Sequence, residues 1–177
     1  MGILLLYHPR ERRAALTPPE KPVSPQKSEP SGQTQTVIPS GRQLGSYQVR
    51  SLLGKGGMGE VYRAHDPKLA RDVAIKTLPA EFAGHAEWLA RFQREARMLA
   101  ALNHPNIAAL YGLEESGGVH YLVMELVEGE TLAERLHRAS PLAPNEALEI
   151  CAQVAEALQA AHEKSITHRD IKPANIR

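Results

Sequence analysis

Between two stretches that alternate like β-strands, Tyr47 to Leu53 and Tyr62 to His65, the chain reads Gly54-Lys55-Gly56-Gly57-Met58-Gly59-Glu60-Val61. Glycines spaced in this way let backbone N–H groups approach phosphate oxygens with no Cβ in the way. The spacing alone fits several architectures, and the flanking residues separate them. A dinucleotide-binding fingerprint needs a helix directly after the glycines. Here Glu60-Val61-Tyr62-Arg63 continues as a strand, and Asp66-Pro67 ends it in a turn. A P-loop needs Lys and then Ser or Thr after its last glycine, and Glu60 and Val61 stand there instead. A strand–glycine–strand hairpin over phosphates is the arrangement that survives, and a dinucleotide-dependent oxidoreductase is set aside.

The next strand, Asp72 to Leu78, contains Val73-Ala74-Ile75-Lys76. Alternate residues of a strand share a face, so Ala74 and Lys76 point the same way. Ala86 to Ala101 has helical period, with Leu89, Phe92, Ala96 and Leu99 in one apolar stripe and Glu95 at its border. A strand lysine and a carboxylate beside a buried stripe are each most often simply solvated. Asn103-His104-Pro105 ends the helix, because the residue before proline avoids the helical region. Strands are expected at Ile107 to Glu115 and Val119 to Val127 around the turn Ser116-Gly117-Gly118. That makes five strands with one helix between the third and fourth.

Thr131 and Glu134 have capping-box spacing before a short helix, and capping is the whole of their expected role. Pro144 opens a long helix to about Lys164, with Leu148, Cys151, Ala155, Leu158 and His162 as its apolar stripe. On that reading Cys151 is a buried structural thiol. Ser165 stands where a glycine C-cap is expected, and a left-handed conformation there costs about 1 kcal/mol. Directly after it comes His168-Arg169-Asp170-Ile171-Lys172-Pro173-Ala174-Asn175.

Several classes are excluded by composition. A net charge of +1 gives no reason to propose nucleic acid or an anionic membrane as partner. One cysteine rules out an intrachain disulfide and any multi-cysteine metal site. No run approaches the roughly 20 apolar residues of a membrane span. The apolar run Ile3 to Tyr7 precedes Arg10, Arg12 and Arg13, the reverse of a signal peptide, so the expected location is cytoplasmic. Residues 1–45, rich in proline and serine, are expected to be a disordered tail.

The four motifs together, GxGxxGxV, VAIK, a helix glutamate and HRDxKxxN, resemble the eukaryotic-type serine/threonine protein kinases, in an alanine-rich style like the bacterial branch. The resemblance runs from about Tyr47 to Arg177. It implies an α+β fold with a small lobe at 46–127, built of a five-stranded antiparallel sheet and one helix. The hinge exit and the start of the large lobe follow at 128–177. It also implies ATP and Mg²⁺ as cofactors and a protein Ser/Thr hydroxyl as phosphoryl acceptor. ATP-binding residues would be Leu53, Gly54, Gly56, Gly59, Val61, Ala74, Lys76, Glu95, Met124, Glu125 and Val127. Among these, Leu53, Val61 and Ala74 roof the adenine, Lys76 pairs with Glu95, Met124 is the gatekeeper, and Glu125 and Val127 offer hinge backbone groups. Asp170 would accept the substrate proton, Lys172 balance charge on the transferring phosphoryl, and Asn175 help to hold Mg²⁺. Leu99, Leu110 and His168 match three of four stacked residues of the family's regulatory spine.

Departures from the family accompany the matches. Its catalytic domains run about 100 residues beyond the catalytic loop. The DFG aspartate, its principal Mg²⁺ ligand, would lie in that stretch, as would the activation segment. Arg177 occupies the usual place of an apolar floor residue and is expected to fray. The expectation is a kinase fragment, inactive alone, with the stripe of the 144–164 helix left exposed. The alternative is a non-catalytic nucleotide-binding or kinase-interacting module, and clean monomers with a cooperative melt would favour it.

Overall fold

A computed structural model of the chain describes residues 38–56, 59–78, 85–139, 141–168 and 170–177. Of the tail expected at 1–45, residues 1–37 lie outside the described residues, as do Gly57, Met58 and Arg169.

Six strands form one antiparallel sheet: β1 Gln43–Leu44, β2 Tyr47–Gly56, β3 Gly59–Asp66, β4 Arg71–Thr77, β5 Leu110–Ser116 and β6 Val119–Glu125. Their order across the sheet is β1-β2-β3-β4-β6-β5. Helix α1, Ala86–Ala100, lies between β4 and β5 in the chain. Helix α2, Leu132–Arg138, and helix α3, Pro144–Glu163, follow the sheet, and a 3₁₀ turn spans Pro173–Asn175. None of the described helices is long and apolar enough to cross a membrane.

Strand β4 carries the logic of the sheet. Val73 and Ile75 point to one face and are completely buried there with Tyr62, Ala64, Tyr121 and Val123. Ala74 points to the other face and packs with Leu122 and Met124 against Phe92, Ala96 and Leu99 of α1. The β-branched residues suit a strand enclosed on both sides. The second core continues through Leu102 and Ile107 to Ala157, Ala161 and Ile166, so one apolar cluster joins the sheet, α1 and α3. A polar tie reinforces that junction. The buried Asn106 amide donates to the Gln153 carbonyl and to Glu156 Oε2 of α3, both at 3.3 Å.

The sixth strand corrects the expected five. Residues 38–45, placed in the tail on composition, are folded onto the sheet. Gly41 N–H donates to Val49 O at 2.8 Å, Val49 N–H to Arg42 O at 3.0 Å, and Ile38 and Leu44 are buried. Two apolar side chains and a set of backbone bonds suffice to order a segment of polar composition. Gly45 closes the turn with φ +59°, and a Cβ there would collide with the Tyr121 hydroxyl. Several strand boundaries move as well. The glycines Gly54, Gly56 and Gly59 belong to the paired arms of the β2–β3 hairpin. Residues 104–107 form a small bridged turn, which delays β5 to Leu110.

Helix α3 is also rotated from its expected setting. Its buried line is Ile150, Ala157 and Ala161, with Leu158 partly buried. Leu148 is 68% exposed and Cys151 is exposed. The expectation of a buried thiol at Cys151 is therefore wrong: the contacts of Asn106, Leu102 and Ile107 select the face one position round, about 100° away. The capping expectations fare better. Thr131 and Glu134 form a complete capping box. Ser165 has φ +59°, its N–H donates to His162 O at 2.8 Å, and Ile166 N–H donates to Ala161 O at 2.9 Å. That pair of bonds is a Schellman motif built on serine. Replacing Ser165 by Gly removes the left-handed strain, and we expect a gain of about 0.5–1 kcal/mol. A thermal melt checks this, with a rise of roughly 4 °C expected. A lower melting temperature would show that the serine is not strained.

Candidate active site

A cleft of about 200 Å³ opens between the inner face of the sheet and the segment after α3. Its roof is the glycine hairpin and the strands beside it: Leu53, Gly54, Val61 and Ala74. Val61 and Lys76 are register partners on β3 and β4, as are Ala74 and Met124 on β4 and β6. Antiparallel pairing thus sets four side chains from three strands on one wall, all by period two. Met124, Glu125 and Val127 line the edge where β6 leaves the sheet, and Ala174, Asn175 and Arg177 line the opposite side.

Lys76 and Glu95 meet inside this cleft. The Lys76 ammonium lies 3.3 Å from Glu95 Oε1, and Glu95 is only 5% exposed. The strand aims the lysine into the cleft, and the buried stripe of α1 carries the carboxylate to it. The ion pair holds α1 against the sheet while leaving the ammonium at the surface of the cleft, where it can face an anion.

The loop after α3 carries the second cluster. His168 is 2% exposed, and burial pushes its imidazole pKa down, so the ring is neutral at physiological pH. Its Nδ1 accepts the Asp170 N–H at 3.1 Å. The Asn175 amide donates to Asp170 O at 2.9 Å and to Asp170 Oδ2 at 3.2 Å. The Lys172 ammonium sits 2.8 Å from the same Oδ2. The lysine first, and the asparagine amide with it, hold the Asp170 carboxyl below the usual carboxylate range. Pro173 and the 3₁₀ turn bring Asn175 back over Asp170. Asp170 and Lys172 do not line the cleft themselves; Asn175 does, and it connects them to it.

The loop's end is stitched down. Leu132 N–H donates to Ile176 O at 2.8 Å and the Arg177 guanidinium donates to Gly129 O at 2.7 Å. Arg177, expected to fray, is held there as part of the cleft wall. Of the residues named from sequence, Gly56 and Gly59 are paired in the hairpin arms, and Gly59 is not on the cleft surface. Ala108, Leu122, Leu126 and Ala174 line it without having been named. Met124 was named from the resemblance; Leu122, two residues before it on one strand, shares its face and was accessible to strand period. Leu99 and Leu110, assigned only to the spine, also border the cleft.

With Asn175 Nδ2 turned to Asp170, the amide oxygen is its remaining face and suits a hard cation. Among the described residues no three His, Cys, Asp or Glu side chains gather to hold a metal on their own. This donor set fits a cation carried largely by phosphate oxygens, not a protein-only cage.

Comparison with known proteins was informative. The family model for the protein kinase domain matches residues 47–176. The serine/threonine-protein kinase PrkC of Bacillus subtilis is 48% identical over 132 residues, which is 75% of this chain and 20% of that protein. The serine/threonine-protein kinase PknB of Mycobacterium tuberculosis is 46% identical over 134 residues, 73% of this chain and 21% of that protein. The crystal structure of the PknI kinase domain of M. tuberculosis superposes with a TM-score of 0.67 at 34% identity, covering 78% of this chain and 56% of that one. The chain thus spans about a fifth of the length of these curated relatives.

Proposed function

The chain belongs to the protein kinase domain family, and from that premise we propose that it supplies the ATP cleft and catalytic loop of a serine/threonine protein kinase. The observation that carries the proposal is the Lys76–Glu95 pair, buried in a cleft whose far wall holds Asn175 bonded to Asp170. Phosphoryl transfer asks a protein mainly for positioning and charge stabilisation, and those are what the two clusters offer.

In this reading the adenine lies between Val61 and Ala74 above and the wall near Ala174 below, with Met124 behind it and backbone groups of Glu125 and Val127 at its edge. Lys76, fixed by Glu95, binds the α- and β-phosphates. The hairpin amides of Gly54, Gly56 and Gly59 cover the triphosphate. Asp170 accepts the proton of a protein Ser or Thr hydroxyl and orients it in line with the γ-phosphorus. Lys172, next to that carboxylate, offsets negative charge on the transferring group. Asn175 would hold Mg²⁺ through its amide oxygen, and the ion would supply neutralisation of phosphate charge. The work is placed in the cytoplasm, where ATP is available, with a protein as acceptor and no role for nucleic acid.

Calorimetric titration of the purified chain with Mg²⁺-ATP tests the cleft assignment. Saturable one-site binding that GTP does not match is expected, because the edge at Glu125 and Val127 is read as selecting adenine. A folded chain with no affinity for any adenine nucleotide would overturn the assignment.

A further inference from the structure

On the outer face of the sheet, opposite the cleft, Ile38 and Leu44 of the segment 38–46 complete the buried cluster. The family match begins at residue 47, so the covering segment precedes it. Two buried tyrosine hydroxyls interrupt this apolar face: Tyr121's bonds Leu44 O and Glu114 Oε2, and Tyr62's leads toward the glycine hairpin. Tyr62 is completely buried, yet it is a tyrosine where a phenylalanine ring would fill the same space. Its hydroxyl has two partners. It accepts the Ile38 N–H at 2.9 Å and donates to Glu60 Oε2. The other oxygen of Glu60 lies 3.2 Å from the Lys55 ammonium. Lys55 and Glu60 are cross-strand partners on the two arms of the glycine hairpin.

The result is an uninterrupted series from the covering segment, through one buried hydroxyl, to both arms of the lid over the cleft. Each donor polarises the next, so the series is stiffer than its separate bonds. The Glu60 carbonyl is also held by the Thr77 hydroxyl at 3.3 Å, on the strand next to Lys76. The arms are also paired along their backbones, Gly54 with Val61, Lys55 with Glu60 and Gly56 with Gly59, and the series adds a side-chain tie to that pairing.

We propose that Tyr62 is a positioning residue for the nucleotide cleft, and that its hydroxyl transmits the docking of residues 38–46 to the glycine hairpin. Occupancy of the outer face by that segment then sets how firmly the described arms of the hairpin are held over the cleft. The nucleotide part of this rests on the ATP-cleft reading above; the mechanical part does not.

The test uses the whole chain with Tyr62→Phe, which keeps the ring and removes the relay. Amide exchange at Lys55 and Glu60 should quicken by about three- to tenfold, the worth of one hydrogen bond, while amides of β4 and β6 keep their rates. Mg²⁺-ATP affinity should fall by a similar factor. Glu60→Gln, which retains an acceptor for the hydroxyl but not the attraction to Lys55, should give a smaller change in both. If Tyr62→Phe fails to fold, Glu60→Ala interrupts the same series outside the core and should loosen the hairpin alike. Unchanged exchange in the hairpin arms of a folded variant overturns the proposal. So does faster exchange with unaltered affinity in a chain that binds Mg²⁺-ATP. If the parent chain binds no nucleotide, the ATP reading falls, and the exchange rates alone decide the relay.

Discussion

Lys76→Met should cost the chain its affinity for Mg²⁺-ATP by about ten- to a hundredfold, the worth of one or two charge-assisted hydrogen bonds to phosphate. Methionine preserves the length and apolar stem of the lysine, so the strand and its register partner Val61 are undisturbed. What changes is charge. Glu95 is 5% exposed and its Oε1 faces the Lys76 ammonium at 3.3 Å. Without that cation a buried carboxylate faces incoming phosphates and repels them. The orphaned charge has a second effect, a loss of folding stability of up to about 3–5 kcal/mol. The two effects separate in a double variant. Lys76→Met with Glu95→Gln removes the uncompensated charge, so stability should recover by most of that loss while nucleotide affinity stays low. Calorimetry and thermal melts on the four proteins complete the cycle. A Lys76→Met chain that binds Mg²⁺-ATP as tightly as its parent would mean that the cleft holds some other ligand.

Local period placed Lys76 on a strand face with Ala74 and Glu95 at the margin of a helical stripe, where each is most often solvated; their pairing was expected from the family resemblance. The glycine hairpin was legible from its flanks, which exclude a helix. Cys151 was misplaced because helical period gives a stripe without saying which stripe meets the core. In α3 that choice is made by Leu102, Asn106 and Ile107, about fifty residues away in the chain. Segment 38–45 was missed for a different reason. Its order comes from backbone bonds to β2 and from the burial of Ile38 and Leu44, neither of which composition records. Hydrophobic content measures whether a segment can fold alone, whereas this one folds onto a face that already exists. The family resemblance pointed to Leu53, Val61 and Met124, yet Ala174 came into view only when the 3₁₀ turn brought it to the cleft.

Asp170→Asn should reduce phosphoryl transfer by about 10²- to 10⁴-fold, the usual contribution of a positioned base, while leaving Mg²⁺-ATP affinity within about twofold. The separation follows from geometry. Asp170 does not line the cleft and touches it only through Asn175, whose bond to the Asp170 backbone carbonyl survives the substitution. Asparagine has the shape of the carboxylate and can still accept a hydrogen bond, but it does not take a proton at neutral pH. The pH profile adds an independent check. Lys172 above all, with Asn175, lowers the Asp170 carboxyl below its ordinary 3.8. The base form is therefore the populated one at neutral pH, and it is lost only as pH falls through that lowered value. Between about pH 5 and 8 Asp170 should contribute no acid limb to the rate. Lys172→Ala lets the carboxyl rise toward its ordinary value, so any acid limb moves upward, in the direction opposite to that expected if the lysine were itself the base. Transfer from γ-labelled ATP in the intact protein, measured from about pH 3 to 8 beside nucleotide binding, reads both effects. An Asp170→Asn protein with transfer within a few-fold of its parent would remove Asp170 from the reaction and leave the lowered carboxyl as a purely structural partner of Lys172.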